Sequence, residues 1–142
     1  MTTPLKNNDP AQAREYFEKK MSFTTGPVEL NAQIESHADL VIVDVRASED
    51  FEEGHIPGAI SLPREKWGAP AGMSKDKPNV LYCYSHVCHL GAAAAVQLAG
   101  LGYPVVEMDG GFKAWEENDM EVETGEDSAP GSEHDDTQAV SA

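Results

Sequence analysis

The stretch Val80-Leu81-Tyr82-Cys83-Tyr84-Ser85-His86-Val87-Cys88-His89-Leu90-Gly91-Ala92-Ala93-Ala94-Ala95 decides the fold of this chain. An apolar run ends at a cysteine, a short loop follows, and a run of small residues with helical character begins. That order puts Cys83 at the carboxyl end of a strand, just ahead of a helix N-terminus. α/β sheets place their ligands there, and unpaired N–H groups there favour a thiolate. A free cysteine also packs well as a small buried hydrophobe. Its position, rather than its identity, makes Cys83 a candidate nucleophile.

Working outward, Leu40-Val41-Ile42-Val43-Asp44 is a nearly continuous β-branched run, the pattern of a strand buried on both faces. Ala59-Ile60-Ser61-Leu62 and Val105-Val106-Glu107-Met108 read as further strands, and Ser22-Phe23-Thr24-Thr25 as another short one. Helical patterns lie between them. Asp9-Pro10 opens a helix to about Lys20, with Tyr16 and Phe17 as its packing residues. A second runs from Val28 to about Glu35, with Val28, Leu30 and Ile34 apolar. Short helices suit Ser48–Glu53 and Phe112–Asn118, and a longer one spans Gly91 to about Leu101 and stops at Gly102. Pro63 to Asn79 is loop-rich, with Pro70, Gly72 and Pro78 as breakers. Strands alternating with helices predict an α/β domain whose parallel sheet is covered on both faces.

The chain has 142 residues, enough for one domain with its own core. Its two cysteines cannot build a disulfide framework, so it reads as cytoplasmic with reduced thiols. Residues Met1 to Asn8 lack the apolar core of a signal sequence, and no run reaches the length of a membrane span. The net charge of −15 is unevenly placed: ten of the 25 acidic residues lie from Glu116 onward, where there is no Lys or Arg. Acidity of this kind argues against nucleic acid and anionic membranes as partners. The expected organisation is an N-terminal helical extension (1–23), a central domain (24–123) and an acidic, disordered tail (124–142) that keeps the chain soluble.

Five segments in order resemble the rhodanese-like (sulfurtransferase) family. Val41-Ile42-Val43-Asp44-Val45-Arg46 looks like its strand ending in Asp-x-Arg. Phe51-Glu52-Glu53-Gly54-His55-Ile56-Pro57-Gly58-Ala59-Ile60 matches its Gly-His-Ile-Pro-Gly-Ala signature, and Val80-Leu81-Tyr82-Cys83 its cysteine-bearing strand. Leu101-Gly102-Tyr103-Pro104-Val105 and Asp109-Gly110-Gly111-Phe112-Lys113-Ala114-Trp115 match its closing segments. The resemblance implies a single domain with a five-stranded, mostly parallel sheet and helices on both faces. It also implies transfer of a sulfane sulfur through a persulfide on Cys83, from a small-molecule or protein donor to an acceptor thiol, with no cofactor. In that scheme the N–H groups from Tyr84 through Ser85, His86, Val87, Cys88 and His89 to about Leu90 curl round the sulfur and hold the persulfide anion.

The loop departs from the family pattern, which reads roughly Cys-x-x-Gly-x-Arg-Ser. Here Cys83-Tyr84-Ser85-His86-Val87-Cys88-His89-Leu90 has no Gly, no Arg and about two extra residues. An imidazole at His86 or His89 does not reproduce the bidentate fork of Arg, so thiosulfate is expected to be a poorer donor than a persulfide. Cys88 reads either as a resolving thiol that closes a disulfide with Cys83 or as core filler. The competing function is therefore a non-enzymatic binding or thiol-redox sensing module that uses Cys83 and Cys88. A phosphatase reading fails for want of a fixed cation six residues after Cys83, where His89 stands. A zinc reading of Cys83, His86, Cys88 and His89 fails because four ligands within seven residues are too tightly spaced.

Elsewhere, Asp44 and Arg46 either support the loop electrostatically or form a structural ion pair. His55 is expected to shape a turn, Trp115 to fill the core, and Trp67 to wall the site or cover apolar surface. Ala92 to Ala95 allow close helix–sheet approach, His37 and His134 lie in solvent, and Glu116, Glu117, Asp119, Glu121 and Glu123 form a solvated face.

Overall fold

The computed structural model describes residues 9–125. Five strands, β1 (Thr24–Thr25), β2 (Val41–Asp44), β3 (Ile60–Ser61), β4 (Asn79–Tyr82) and β5 (Val105–Met108), form one sheet in the order β1-β5-β4-β2-β3. Every neighbouring pair is parallel. The helices are α1 (Pro10–Phe23), α2 (Pro27–Glu35), α3 (Ser48–Glu53), α4 (Leu90–Gly100) and α5 (Gly111–Glu117). The expected α/β class and five-stranded sheet are what the chain adopts. Among the described residues no helix is long and apolar enough to cross a membrane.

The two-residue period of the strands sorts the core into two layers. Ile42, Val80 and Tyr82 face Leu30 of α2, Phe51 of α3, and Phe112 and Trp115 of α5. Val43, Leu81 and Cys83 face Ala94 and Leu98 of α4, together with Trp67. In α4 the buried positions are Gly91, Ala94 and Leu98, spaced three and four residues apart. Ala94 thus gives the close approach expected of the alanine run, whereas Ala92 and Ala93 face outward. Trp115 fills the core as expected, its Nε1 donating to the Glu121 carbonyl at 2.7 Å. Trp67 covers the α4-side core and donates to the Leu62 carbonyl at 2.9 Å.

The first helix corrects the sequence reading. Asp9 caps it as expected, accepting from the N–H groups of Ala11 and Gln12. It runs on to Phe23, however, leaving only Thr24 and Thr25 for the strand. Tyr16 and Phe17, expected to pack the helix down, are 61% and 55% exposed and meet each other edge-on at 4.9 Å. The reason is topological. α1 leads directly into the edge strand and touches β1 and β5 there, instead of lying across a face of the sheet. Val28 is likewise exposed, and Leu30 carries the burial of α2.

Beneath the carboxyl edge of the sheet lies a buried polar network. Arg46 Nε donates to Asp44 Oδ1 at 3.0 Å, and Nη2 donates to Asp44 Oδ2 at 2.8 Å and to the Gly54 carbonyl at 2.6 Å. The Tyr82 hydroxyl donates to Asp44 Oδ2 at 2.7 Å and accepts from the Ile56 N–H at 3.0 Å. Burial pushes the Tyr82 phenol well above its ordinary pKa and keeps it a donor. His55 shapes the adjoining turn. It is stacked on Phe51 at 3.7 Å, its Nδ1 lies 2.6 Å from the Phe51 carbonyl, and burial lowers its pKa. The chain after α5 returns here, where His55 and Glu123 exchange backbone hydrogen bonds of 2.8 and 2.9 Å. The side chains of Glu116, Glu117, Asp119, Glu121 and Glu123 are exposed, as is His37. His134 and the proposed disordered part of the tail lie outside the described residues.

Removing one partner of a buried ion pair strands the other charge. Asp44→Ala is therefore expected to cost about 3–5 kcal/mol of unfolding free energy, measured by urea denaturation. A loss below about 1 kcal/mol would show that Arg46 finds solvent without its partner.

Candidate active site around Cys83

Cys83 is the first residue beyond β4, and the strand period turns its side chain toward α4. The backbone on either side is gripped by the start of α5. The Phe112 N–H donates to the Cys83 carbonyl at 2.7 Å, and the Lys113 N–H to the Tyr84 carbonyl at 2.9 Å. These are first-turn amides that have no partner inside the helix. Gly111 makes the approach possible: its φ is +64°, and a Cβ there would stand 2.5 Å from the Ser85 nitrogen.

A cleft of about 200 Å³ opens beside the cysteine. From the loop it is lined by Cys83, Ser85, His86, Cys88 and His89. Opposite stand Ala92 of α4 and the Glu107–Gly110 segment that ends β5. The remaining candidates lie elsewhere. Tyr84 turns away, its hydroxyl donating to Asp50 Oδ2 at 2.6 Å and accepting from the Ala47 N–H at 3.2 Å. Val87 projects into solvent, and Leu90 packs on the α4-side core. Asp44 and Arg46 form the structural ion pair already described, with the guanidinium 4.2 Å from the Phe112 ring rather than in the cleft. Trp67 does not line the cleft.

The loop amides do not all converge on Cys83, as the sequence had suggested. They are divided between two sulfurs. The Leu90 N–H, at the start of α4, donates to Cys88 Sγ at 3.4 Å, in a helix whose N-cap residue His89 supplies no side-chain cap. Cys83 Sγ is buried beside the carbonyls of Cys88, at 3.6 Å, and Ser85, at 3.9 Å. Burial pushes the Cys83 thiol up to about 11, against the pull of the Gly91 and Ser85 N–H groups and with a further push from Cys88. Burial also disfavours the Cys88 thiolate. Hydrogen bonds from the Leu90 N–H, the Cys83 thiol and the Tyr84 N–H outweigh it and lower the Cys88 pKa. Of the two thiols, Cys88 is therefore the more readily ionised. The physical reason is the position of Cys88, two residues before Leu90, which brings a second sulfur to the helix start.

The sequence reading missed Glu107 and Asp109. Glu107 is half-buried, and its pKa is raised by burial and by Asp109 against the pull of His89 and Lys20. The available signal was a carboxylate inside the otherwise apolar run Val105-Val106-Glu107-Met108. Among the described residues no Lys or Arg lines the cleft.

The charge distribution between the thiols has a direct readout. Iodoacetamide at pH 8 is expected to alkylate Cys88 before Cys83, followed by peptide mass analysis. Cys88→Ser removes the neighbour that raises the Cys83 pKa and is expected to speed Cys83 alkylation by about threefold or more. Slower alkylation of Cys83 in that variant would contradict the coupling.

The model of the rhodanese-like domain family matches residues 26–118. The chain is 35% identical over 95 residues to the probable adenylyltransferase/sulfurtransferase MoeZ of Mycobacterium tuberculosis, covering 65% of this chain and 24% of that protein. It is 39% identical over 80 residues to the thiosulfate sulfurtransferase GlpE of Pseudoalteromonas translucida, covering 55% of this chain and 74% of that protein. The crystal structure of the BH2092 protein from Bacillus halodurans superposes with a TM-score of 0.77 at 34% identity, over 82% of this chain and 87% of that one.

Proposed function

The chain belongs to the rhodanese-like domain family, and on that premise we propose that it is a sulfurtransferase using Cys83 as its sulfur carrier. The observation that carries this reading is the place of Cys83: a thiol fixed at the carboxyl end of the central strand, walling a cleft wide enough for a small donor. Cys83 gives its proton to solvent, and the resulting thiolate attacks the terminal sulfur of a hydropersulfide R–S–SH. A new S–S bond forms as the donor's own S–S bond breaks, and the electron pair leaves with RS⁻. An acceptor thiolate then attacks the outer sulfur of the Cys83 persulfide, takes it as a new hydropersulfide and returns Cys83 as thiolate. The cycle is two displacements with no net oxidation. A persulfide suits the cleft better than thiosulfate, because no guanidinium or ammonium lines it among the described residues.

A second reading rests on the place of both cysteines in one cleft, with Cys83 Sγ 3.6 Å from the Cys88 carbonyl. With a disulfide oxidant such as oxidised glutathione, Cys88 attacks one of its sulfurs, expelling one glutathione thiolate. Cys83 then attacks the mixed disulfide on Cys88, expelling the second and closing a Cys83–Cys88 bond. In this reading the protein is a thiol switch.

Intact mass separates the two. Reduced protein treated with a hydropersulfide is expected to gain the mass of one sulfur atom, about 32 Da. The gain is expected to be lost in Cys83→Ser and retained in Cys88→Ser. Loss of two hydrogens under oxidised glutathione, with no sulfur adduct from any donor, would sink the transferase reading in favour of the switch.

A further inference from the structure

We propose that Glu107 sets the charge of the donor this site accepts: its carboxylate, held beside the Cys83 sulfur across Gly91, turns away anionic sulfane compounds and leaves uncharged or cationic persulfides as substrates. This inference rests on the sulfurtransferase reading and specifies its substrate class.

Register places the carboxylate. Glu107 pairs with Leu81 across the parallel ladder, so both side chains stand on the α4 face, where Cys83 follows one pleat further along β4. Gly91, in the first turn of α4, measures the gap between them. A Cβ at Gly91 would lie 2.7 Å from Glu107 Oε2 and 3.4 Å from Cys83 Sγ. The carboxylate and the sulfur therefore flank the same backbone atom. A donor whose outer sulfur reaches Cys83 brings the rest of its charge against Glu107.

The surroundings do not cancel that charge. Lys20 of α1 stands 3.9 Å from Asp109, and both side chains are about half exposed. Glu107 itself feels Lys20 and His89 at longer range, against the like charge of Asp109. Glu107 and Asp109 both line the cleft, Lys20 pairs with Asp109, and Glu107 is the half-buried carboxylate, where the effective dielectric is lower and repulsion stronger. Thiosulfate brings two negative charges into this field and finds no guanidinium to hold them. An uncharged hydropersulfide meets no such repulsion.

The test separates the electrostatic claim from the transfer chemistry. Cys88→Ser protein is reacted with two methanethiosulfonates of similar size, one carrying a sulfonate and one a trimethylammonium group, and modification of Cys83 is timed by mass. The cationic reagent is expected to react faster, and adding Glu107→Gln to shrink the rate ratio by about tenfold. Glu107→Asp is expected to keep most of the ratio, and Glu65→Gln, on the exposed 3-10 turn, to leave it unchanged. In the otherwise native protein, Glu107→Gln is expected to raise kcat/KM for thiosulfate by about tenfold relative to 2-hydroxyethyl hydropersulfide. A reagent ratio indifferent to Glu107→Gln, or a thiosulfate preference that does not move, overturns the proposal. If the reagent ratio shifts but neither donor loads Cys83, the sulfurtransferase reading fails and the donor assignment fails with it, while the field of Glu107 stands.

Discussion

Asp44 and Arg46 form an ion pair inside the protein, and much of the architecture follows from the need to satisfy it. A guanidinium has more donors than one carboxylate can use. The surplus goes to the Gly54 carbonyl, which fixes the turn after α3, while Tyr82 and Ile56 complete the network around Asp44. The guanidinium face is covered by Phe112. Phe112 is also the residue whose N–H holds the Cys83 carbonyl, so the packing that shelters the charge seats the N-terminus of α5 under the cysteine loop. A charge on β2 is thereby linked mechanically to the Cys83 thiol after β4, with no direct contact between them.

The site built on this foundation is unusual in its charge. A thiol at a strand end and helix start would ordinarily benefit from the amides around it. In this chain Cys88 stands between Cys83 and the start of α4, and the Leu90 amide donates to it. Cys83 keeps its proton more tightly, and Cys88 becomes the more readily ionised of the two thiols. The cleft adds Glu107 and Asp109 where a cation would serve an oxyanion donor. Membership of a family does not settle substrate, and here the local field argues for a donor different in charge from thiosulfate.

The sheet was legible because its signals are local. β-branched runs and the turn at Gly54 to Gly58 announce strands and their order of appearance, and the apolar spacing of α4 announces the buried face. The first helix was legible in its cap but not in its packing. Tyr16 and Phe17 have the composition of buried residues, yet a helix at a sheet edge has no opposing layer to bury them. The same limit applies to the site. Cys83, His86, Cys88 and His89 are neighbours along the chain and could be grouped by inspection, whereas Glu107 reaches them only through the pairing of β5 with β4.

The amino-acid sequence by itself determined the α/β class, the strand that ends at Cys83, and the absence of Gly and Arg from the loop that follows. These are properties of adjacent residues, set by backbone preference and side-chain period. Tertiary structure alone decided that Arg46 serves the core rather than the site, that Cys88 rather than Cys83 takes the first amide of α4, and that a carboxylate stands beside the Cys83 thiol. Each of these depends on which distant groups share a low-dielectric space. Desolvation and Coulomb energy act through space and not along the chain, and only the folded sheet fixes those distances.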